Sequence, residues 1–326
     1  SYGIWIHNED ELKKVTSLFE EFQQNPNDPK YDIPQEKLPT VDVEKKEKLF
    51  PRIITYFFII FCSLIFAINW VEEFAIAKTQ QIKTPIVTPL YKAFLYDAPP
   101  ALDIMQQQVE KYHIDLTKPL DEQTVEVQTI LQSFNDLPFW KGYYSELLEK
   151  ISPSKTKTKS GPIFEDIKNG QVYRIISPIF LHGNLLHILF NMLWVGLLGF
   201  QIEKRMSRFN YLLLVLIIGA VSNTVQYLVS GPLFLGFSGV IMGMAAYIGV
   251  REKVAPWEGF TLPFSTILFL IFYVIILLIL SLSSFILEGT LGYESFPLNI
   301  ANTAHIVGGL VGAILARFPI LIGKRT

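Results

Sequence analysis

Ser238, His182, His187, Asn191 and His305 all stand on or beside long apolar runs. A lone serine in such a run ordinarily bonds back to its own helix, and a lone His or Asn ordinarily glues helices together. Their combination suggests acyl transfer. An imidazole can take the proton of a serine hydroxyl as general base and return it to a leaving amine. Ser238 follows Gly236-Phe237 and precedes Gly239, at the turn from a polar loop into an apolar run. His305 lies in Ala304-His305-Ile306-Val307-Gly308, on the last apolar run. The last three runs carry no Asp or Glu in their interiors. A serine–histidine pair is therefore expected rather than a triad with a carboxylate.

A tetrahedral intermediate needs donors for its oxyanion. The Ser238 backbone N–H, at the start of a helix, is one candidate, because the first N–H groups of a helix are unpartnered and its dipole favours negative charge. His187 and Asn191 share one helical face, being four residues apart, and supply a ring and an amide. His182 lies at the loop-to-helix junction before them. No metal and no cofactor is expected.

The elements that must position these groups are membrane spans. The 326-residue chain is 50% hydrophobic, and its net charge of −2 provides no basic field for nucleic acid. The one cysteine, Cys62, excludes an internal disulfide. Ile53–Val71 is long enough to cross a ~30 Å hydrocarbon core, with Lys45, Lys46, Lys48 and Arg52 before it and Glu72 and Glu73 after. Further apolar runs cover Leu185–Ile202, Tyr211–Val229, Ser238–Val250, Phe264–Leu287 and Ile300–Phe318. Basic loops at 203–208 and 251–253 alternate with an uncharged loop at 230–236 and an acidic one at 288–297. The positive-inside rule then gives six spans with both termini cytoplasmic. The Ser238 run reads as short, ending at Arg251, so Ser238 is expected below the outer surface in a protein-lined indentation. Gly308 and Gly312 on one run, with Gly239, Gly243 and Ala246 on another, offer small faces that let the Ser238 and His305 helices touch.

The fold class expected is an all-α polytopic membrane protein. Residues 1–33 read as part of a small cytoplasmic α+β domain, with a strand at Tyr2–Ile6 and a helix over Glu9–Gln24. The chain opens on Ser1 without a signal pattern, as a truncated or processed form would. Residues 34–52 read as a linker and 53–71 as the first span. Residues 72–174 read as a long outward-facing loop, with helical patterns at 101–112, 121–134 and 143–151 and a flexible Lys/Ser/Thr stretch at 152–160. Residues 175–320 form the core of spans two to six, and 321–326 a cytoplasmic tail.

These residues resemble the rhomboid intramembrane serine proteases, of the bacterial GlpG type. The motifs run from Gly170-Gln171-Val172-Tyr173-Arg174 through His182, His187 and Asn191 to Glu203-Lys204-Arg205. They continue through Ser230-Gly231-Pro232 and Gly236-Phe237-Ser238-Gly239 to Ala304-His305-x-x-Gly308. The Asn25–Tyr31 stretch also looks like the end of the GlpG cytosolic domain. The resemblance implies a six-span bundle in a bacterial inner membrane that cuts transmembrane protein substrates within the lipid bilayer, near its outward face. It implies Ser238 as nucleophile, His305 as base, and Ser238 N–H, His187 and Asn191 as the oxyanion hole. Gly236 and Gly239 would shape the nucleophile turn, Arg174 and Glu203 would brace the loops, and the fifth span with 288–297 would gate substrate entry. Three features depart from the family. Tyr173 replaces the usual tryptophan, and Met242 stands where a tyrosine stacks on the base. The first loop is also enlarged between Thr84 and Ser160. The alternative class is a catalytically silent relative that binds transmembrane clients.

Overall fold

The computed structural model describes residues 12–31, 52–80, 87–151, 161–291 and 301–318. It divides into two compact units, residues 1–51 and 52–326. The first holds α1 (Leu12–Gln24), closed by the Asn25-Pro26 break, and a short 3-10 turn in which Tyr31 packs edge-on against Phe22 at 5.1 Å. The strand expected at Tyr2–Ile6 and residues 34–51 of the linker expected over 34–52 lie outside the described residues.

Among the described residues the second unit is all helical. Its first helix, α2 (Ile53–Gln80), runs nine residues beyond the expected end at Val71. The segment Glu72-Glu73-Phe74-Ala75-Ile76-Ala77-Lys78 contains no helix breaker, so the charges that mark a change of medium do not end the helix. The segment that follows holds α3 (Pro89–Phe94), α4 (Ala101–Lys111), α5 (Val125–Ser133), α6 (Tyr143–Ile151) and α7 (Glu165–Lys168). The helices expected there sit within a few residues of α4, α5 and α6. Thr88 and Thr124 start α3 and α5 by accepting hydrogen bonds from Tyr91 N and Val127 N.

Five further helices build the bundle: α8 (Leu185–Arg205), α9 (Arg208–Ser230), α10 (Ser238–Val254), α11 (Phe264–Leu291) and α12 (Asn302–Leu315). Of the described helices α2, α8 and α9 are long and apolar enough to cross a membrane, and Phe264–Leu280 and Asn302–Leu315 are shorter apolar stretches. Asn184 and Ser207 cap α8 and α9 through their side-chain oxygens. The core between α2, α8, α9 and α10 is filled by Phe58, Ile202, Tyr211, Ile218, Phe237 and Ile248.

α10 also corrects an expectation. It passes Arg251 and ends at Val254, because Arg251 is buried and paired rather than exposed at a water boundary. Its Nε donates to Glu258 Oε2 at 2.8 Å and its Nη1 to Ala316 O at 2.9 Å. One guanidinium thus ties the ends of α10 and α12 to the following turn.

Glu203, buried near the end of α8, reaches the start of α2. Its Oε1 accepts from Ile54 N at 2.8 Å; its Oε2 accepts from Thr55 N at 2.9 Å and Thr55 Oγ1 at 2.8 Å. A carboxylate at a helix N-terminus satisfies donors left over by the helix itself. Glu203→Ala is expected to lower unfolding free energy by about 3 kcal/mol, with Glu203→Gln intermediate because its amide oxygen still accepts. Thermal denaturation in detergent reads this out, and equal midpoints for all three proteins would contradict it.

Candidate active site

α10 and α12 pack backbone against backbone. A Cβ on Gly308 would overlap the carbonyl oxygen of Gly239, and one on Gly312 would overlap that of Gly243. Both glycines are therefore required for the two backbones to approach so closely. Ser238 is the first residue of α10 and His305 lies in the first turn of α12, so this seam brings them together. His305 Nε2 lies 2.7 Å from Ser238 Oγ. Gln226 on α9 sets the register at the start of α12, its Oε1 accepting from Ala304 N at 2.9 Å.

His305 is buried, while Ser238 is half-buried at the mouth of its helix. Among the described residues, Nδ1 of His305 has no hydrogen-bond partner. No described carboxylate or carbonyl orients the ring from behind. The aromatic neighbour of the ring is Tyr273 on α11, with centroids 6.1 Å apart and the planes tilted by 46°. Met242, at the position where the stacking tyrosine was missing from the sequence, is buried in the core of the bundle.

Gly236 adopts φ +116°, a left-handed conformation open to glycine, and turns the chain into Ser238. A Cβ there would sit 2.8 Å from His187 Nε2 and 3.8 Å from Ser238 Oγ, so both groups crowd around one α-carbon. His187 thus faces the serine. Asn191, buried one turn further along α8, donates its Nδ2 to His187 O at 2.9 Å, and its Oδ1 has no partner among the described residues. Gly239 has the same need for smallness: a Cβ would lie 3.1 Å from Ala304 O and 3.2 Å from Ser222 Oγ.

His182 is buried in the loop before α8, its ring 5.2 Å from that of His187 in an edge-on contact. Burial, with His187 beside it, pushes its pKa down to about 3, so this imidazole stays neutral. Tyr91 of α3 donates its hydroxyl to His182 O at 2.6 Å. Burial, and secondarily Glu73, raises the Tyr91 phenol, which keeps that donor protonated. Arg174 is buried behind the same loop. Its Nη1 donates to Lys92 O at 2.8 Å and Leu95 O at 2.7 Å, and its Nε to Gln171 Oε1 at 2.8 Å. Tyr173 OH and Ser177 Oγ donate to the neighbouring carbonyls Ala93 O and Phe94 O, so four consecutive carbonyls at the end of α3, Lys92 to Leu95, are capped by three side chains. Glu203 lies away from this cluster, at the start of α2.

Sequence reasoning missed Tyr273, Gln226 and Asn302. Asn302 donates its Nδ2 to Leu277 O at 3.1 Å and ties the start of α12 to α11. Each is a polar-tipped residue within an apolar run, the signal that singled out His187 and Asn191.

The architecture defines an integral membrane helical protein with a hydroxyl and an imidazole in hydrogen-bond contact at one end of two closely packed helices. Residues 169–320 match the family model described as Rhomboid domain. The chain is similar to the Rhomboid domain family over that stretch, which is just under half of its length. It is 31% identical over 153 residues to the rhomboid protease GlpG of Salmonella paratyphi A, covering 47% of this chain and 50% of the relative. It is 35% identical over 147 residues to the rhomboid protease GlpG of Yersinia pestis (strain Pestoides F), covering 45% and 48%. The chain spans about half the length of the curated relatives it matches.

Proposed function

We propose that this chain is an intramembrane serine endopeptidase that hydrolyses a peptide bond of a transmembrane protein with Ser238 and His305 as a dyad. The observation that carries the proposal is the 2.7 Å contact between Ser238 Oγ and His305 Nε2, within reach for proton transfer. Ser238 Oγ attacks the scissile carbonyl while Nε2 takes its proton. The imidazolium then gives that proton to the leaving amine as the C–N bond breaks. Water, deprotonated by the same nitrogen, releases the acyl group from the serine. The oxyanion falls to the Ser238 N–H, the His187 ring and the Asn191 amide, which must turn from His187 O to reach it. Residues 175–320 form the catalytic core of a six-span bundle in a bacterial inner membrane. Both termini are cytoplasmic, and the site opens to the outward face.

A serine-directed fluorophosphonate on detergent-solubilised protein tests this. Wild type is expected to label at Ser238, and Ser238→Ala to stay unlabelled. Equal labelling of both proteins sinks the proposal. Asn191→Ala is expected to reduce turnover by about 100-fold with the thermal midpoint nearly unchanged, since its hydrogen bond here is to its own helix. An unfolded variant with no separate loss of turnover would assign Asn191 to helix packing instead.

A further inference from the structure

α6 is amphipathic in the wrong sense for a helix on a soluble surface. Tyr143, Tyr144 and Leu147 fall on one side by helical spacing; Ser145, Glu146 and Lys150 fall on the other. Tyr143 and Leu147 are 55% and 53% exposed and Tyr144 is exposed too, whereas on the other side Ser145 and Glu146 are half-buried and Lys150 at the helix end is exposed. The Tyr143–Tyr144–Leu147 side faces out.

The location of α6 accounts for this inversion. Gly142, at φ +90°, lies so close to the last turn of α9 that a Cβ would overlap Val229 O. Trp140 Nε1 donates to Tyr227 O at 2.9 Å, and the Trp140 ring packs edge-on against Tyr143 at 5.0 Å. The helix therefore starts at the end of a membrane-spanning helix, on the side of the bilayer where the loop 231–237 leads into Ser238. Gly161 returns to the base of this excursion, since its Cβ would lie 2.5 Å from Phe139 Cα. A surface helix fixed at this depth meets the headgroup region, where tyrosine rings and a leucine have an apolar solvent on one side and water on the other.

We infer that α6 is an interfacial anchor: its Tyr143–Tyr144–Leu147 side beds into the lipid at the membrane face where α9 ends. It holds the enlarged first loop against the bilayer beside the Ser238 site. The inference rests on α9 crossing the membrane and is independent of any chemistry at Ser238. A second copy of the chain would cover the same face differently, with protein rather than lipid against Leu147.

Environment-sensitive labelling of the full chain in proteoliposomes distinguishes these cases. Cys62 is fully buried, so a nitrobenzoxadiazole label goes to Leu147→Cys or, on the opposite side, Ser145→Cys. Lipids brominated high on their acyl chains are expected to remove roughly half the Leu147→Cys emission and little of that at Ser145→Cys, with iodide quenching in the reverse order. Fluorescence at both positions quenched by iodide and not by brominated lipid would overturn the anchor. So would a Leu147→Cys label shielded from both quenchers, the signature of a protein partner. Should the Leu147→Cys protein fail to fold, Tyr144→Cys is the substitute position, with the same expected order.

Discussion

Ser238→Ala and His305→Ala are each expected to lower cleavage of a transmembrane substrate by about four to six orders of magnitude, and the double variant to be no slower than either single one. The reason is geometric. With 2.7 Å between Oγ and Nε2, the hydroxyl attacks only as the imidazole accepts its proton. Neither group has a partial function without the other, so removing the second costs little once the first is gone. What residual rate survives comes from the oxyanion donors and substrate positioning, which both variants keep. Among the described residues His305 also has no partner on Nδ1, so none of them joins the unit as a third member. Single-turnover cleavage of a fluorogenic transmembrane peptide in proteoliposomes measures all three proteins. Multiplying losses would mean that Ser238 and His305 act independently, and the dyad would be abandoned.

The glycine pattern, the polar residues within apolar runs and the helix period were enough to place α8 to α12 and to pair Ser238 with His305 from sequence. These are local signals, or signals repeated on two helices that must match. Charge was the less reliable guide. Glu72 and Glu73 did not end α2, and Arg251 did not end α10, because a buried arginine met Glu258 and Ala316 O. Periodicity carries no information on which partner a polar group will find. Glu203 binds the N-terminus of α2 across 149 residues of sequence, and Gln226 holds Ala304 N across 78. Tyr273 reached His305 from α11, so the aromatic neighbour absent at position 242 came from another helix. Within the enlarged loop, the spacing that outlined α6 could also not say which side would be covered. That depended on Trp140 and Gly142 docking at the end of α9.

The other large effect is expected from one methyl group on α12. Gly312→Ala puts a Cβ onto the carbonyl oxygen of Gly243 and within 2.6 Å of Gly243 Cα, and Gly308→Ala puts one onto Gly239 O and 2.8 Å from its carbon. The obstacles are backbone atoms, so no side-chain rotation relieves the clash and the helices must separate. His305 lies one turn before Gly308 on the same helix. A shift of about 1 Å would stretch its contact with Ser238 out of hydrogen-bond range and cost about 100-fold in rate. Either variant is expected to lose at least that much activity and about 1–3 kcal/mol of stability. Gly309, between the two, is the internal control: no heavy atom lies within 4 Å of its would-be Cβ. Gly309→Ala should keep near-wild-type turnover and gain up to about 1 kcal/mol, because alanine is the better helix former. Side-by-side turnover and thermal midpoints decide it. If Gly309→Ala loses as much as Gly308→Ala, helix flexibility rather than the α10–α12 seam sets the distance between serine and histidine.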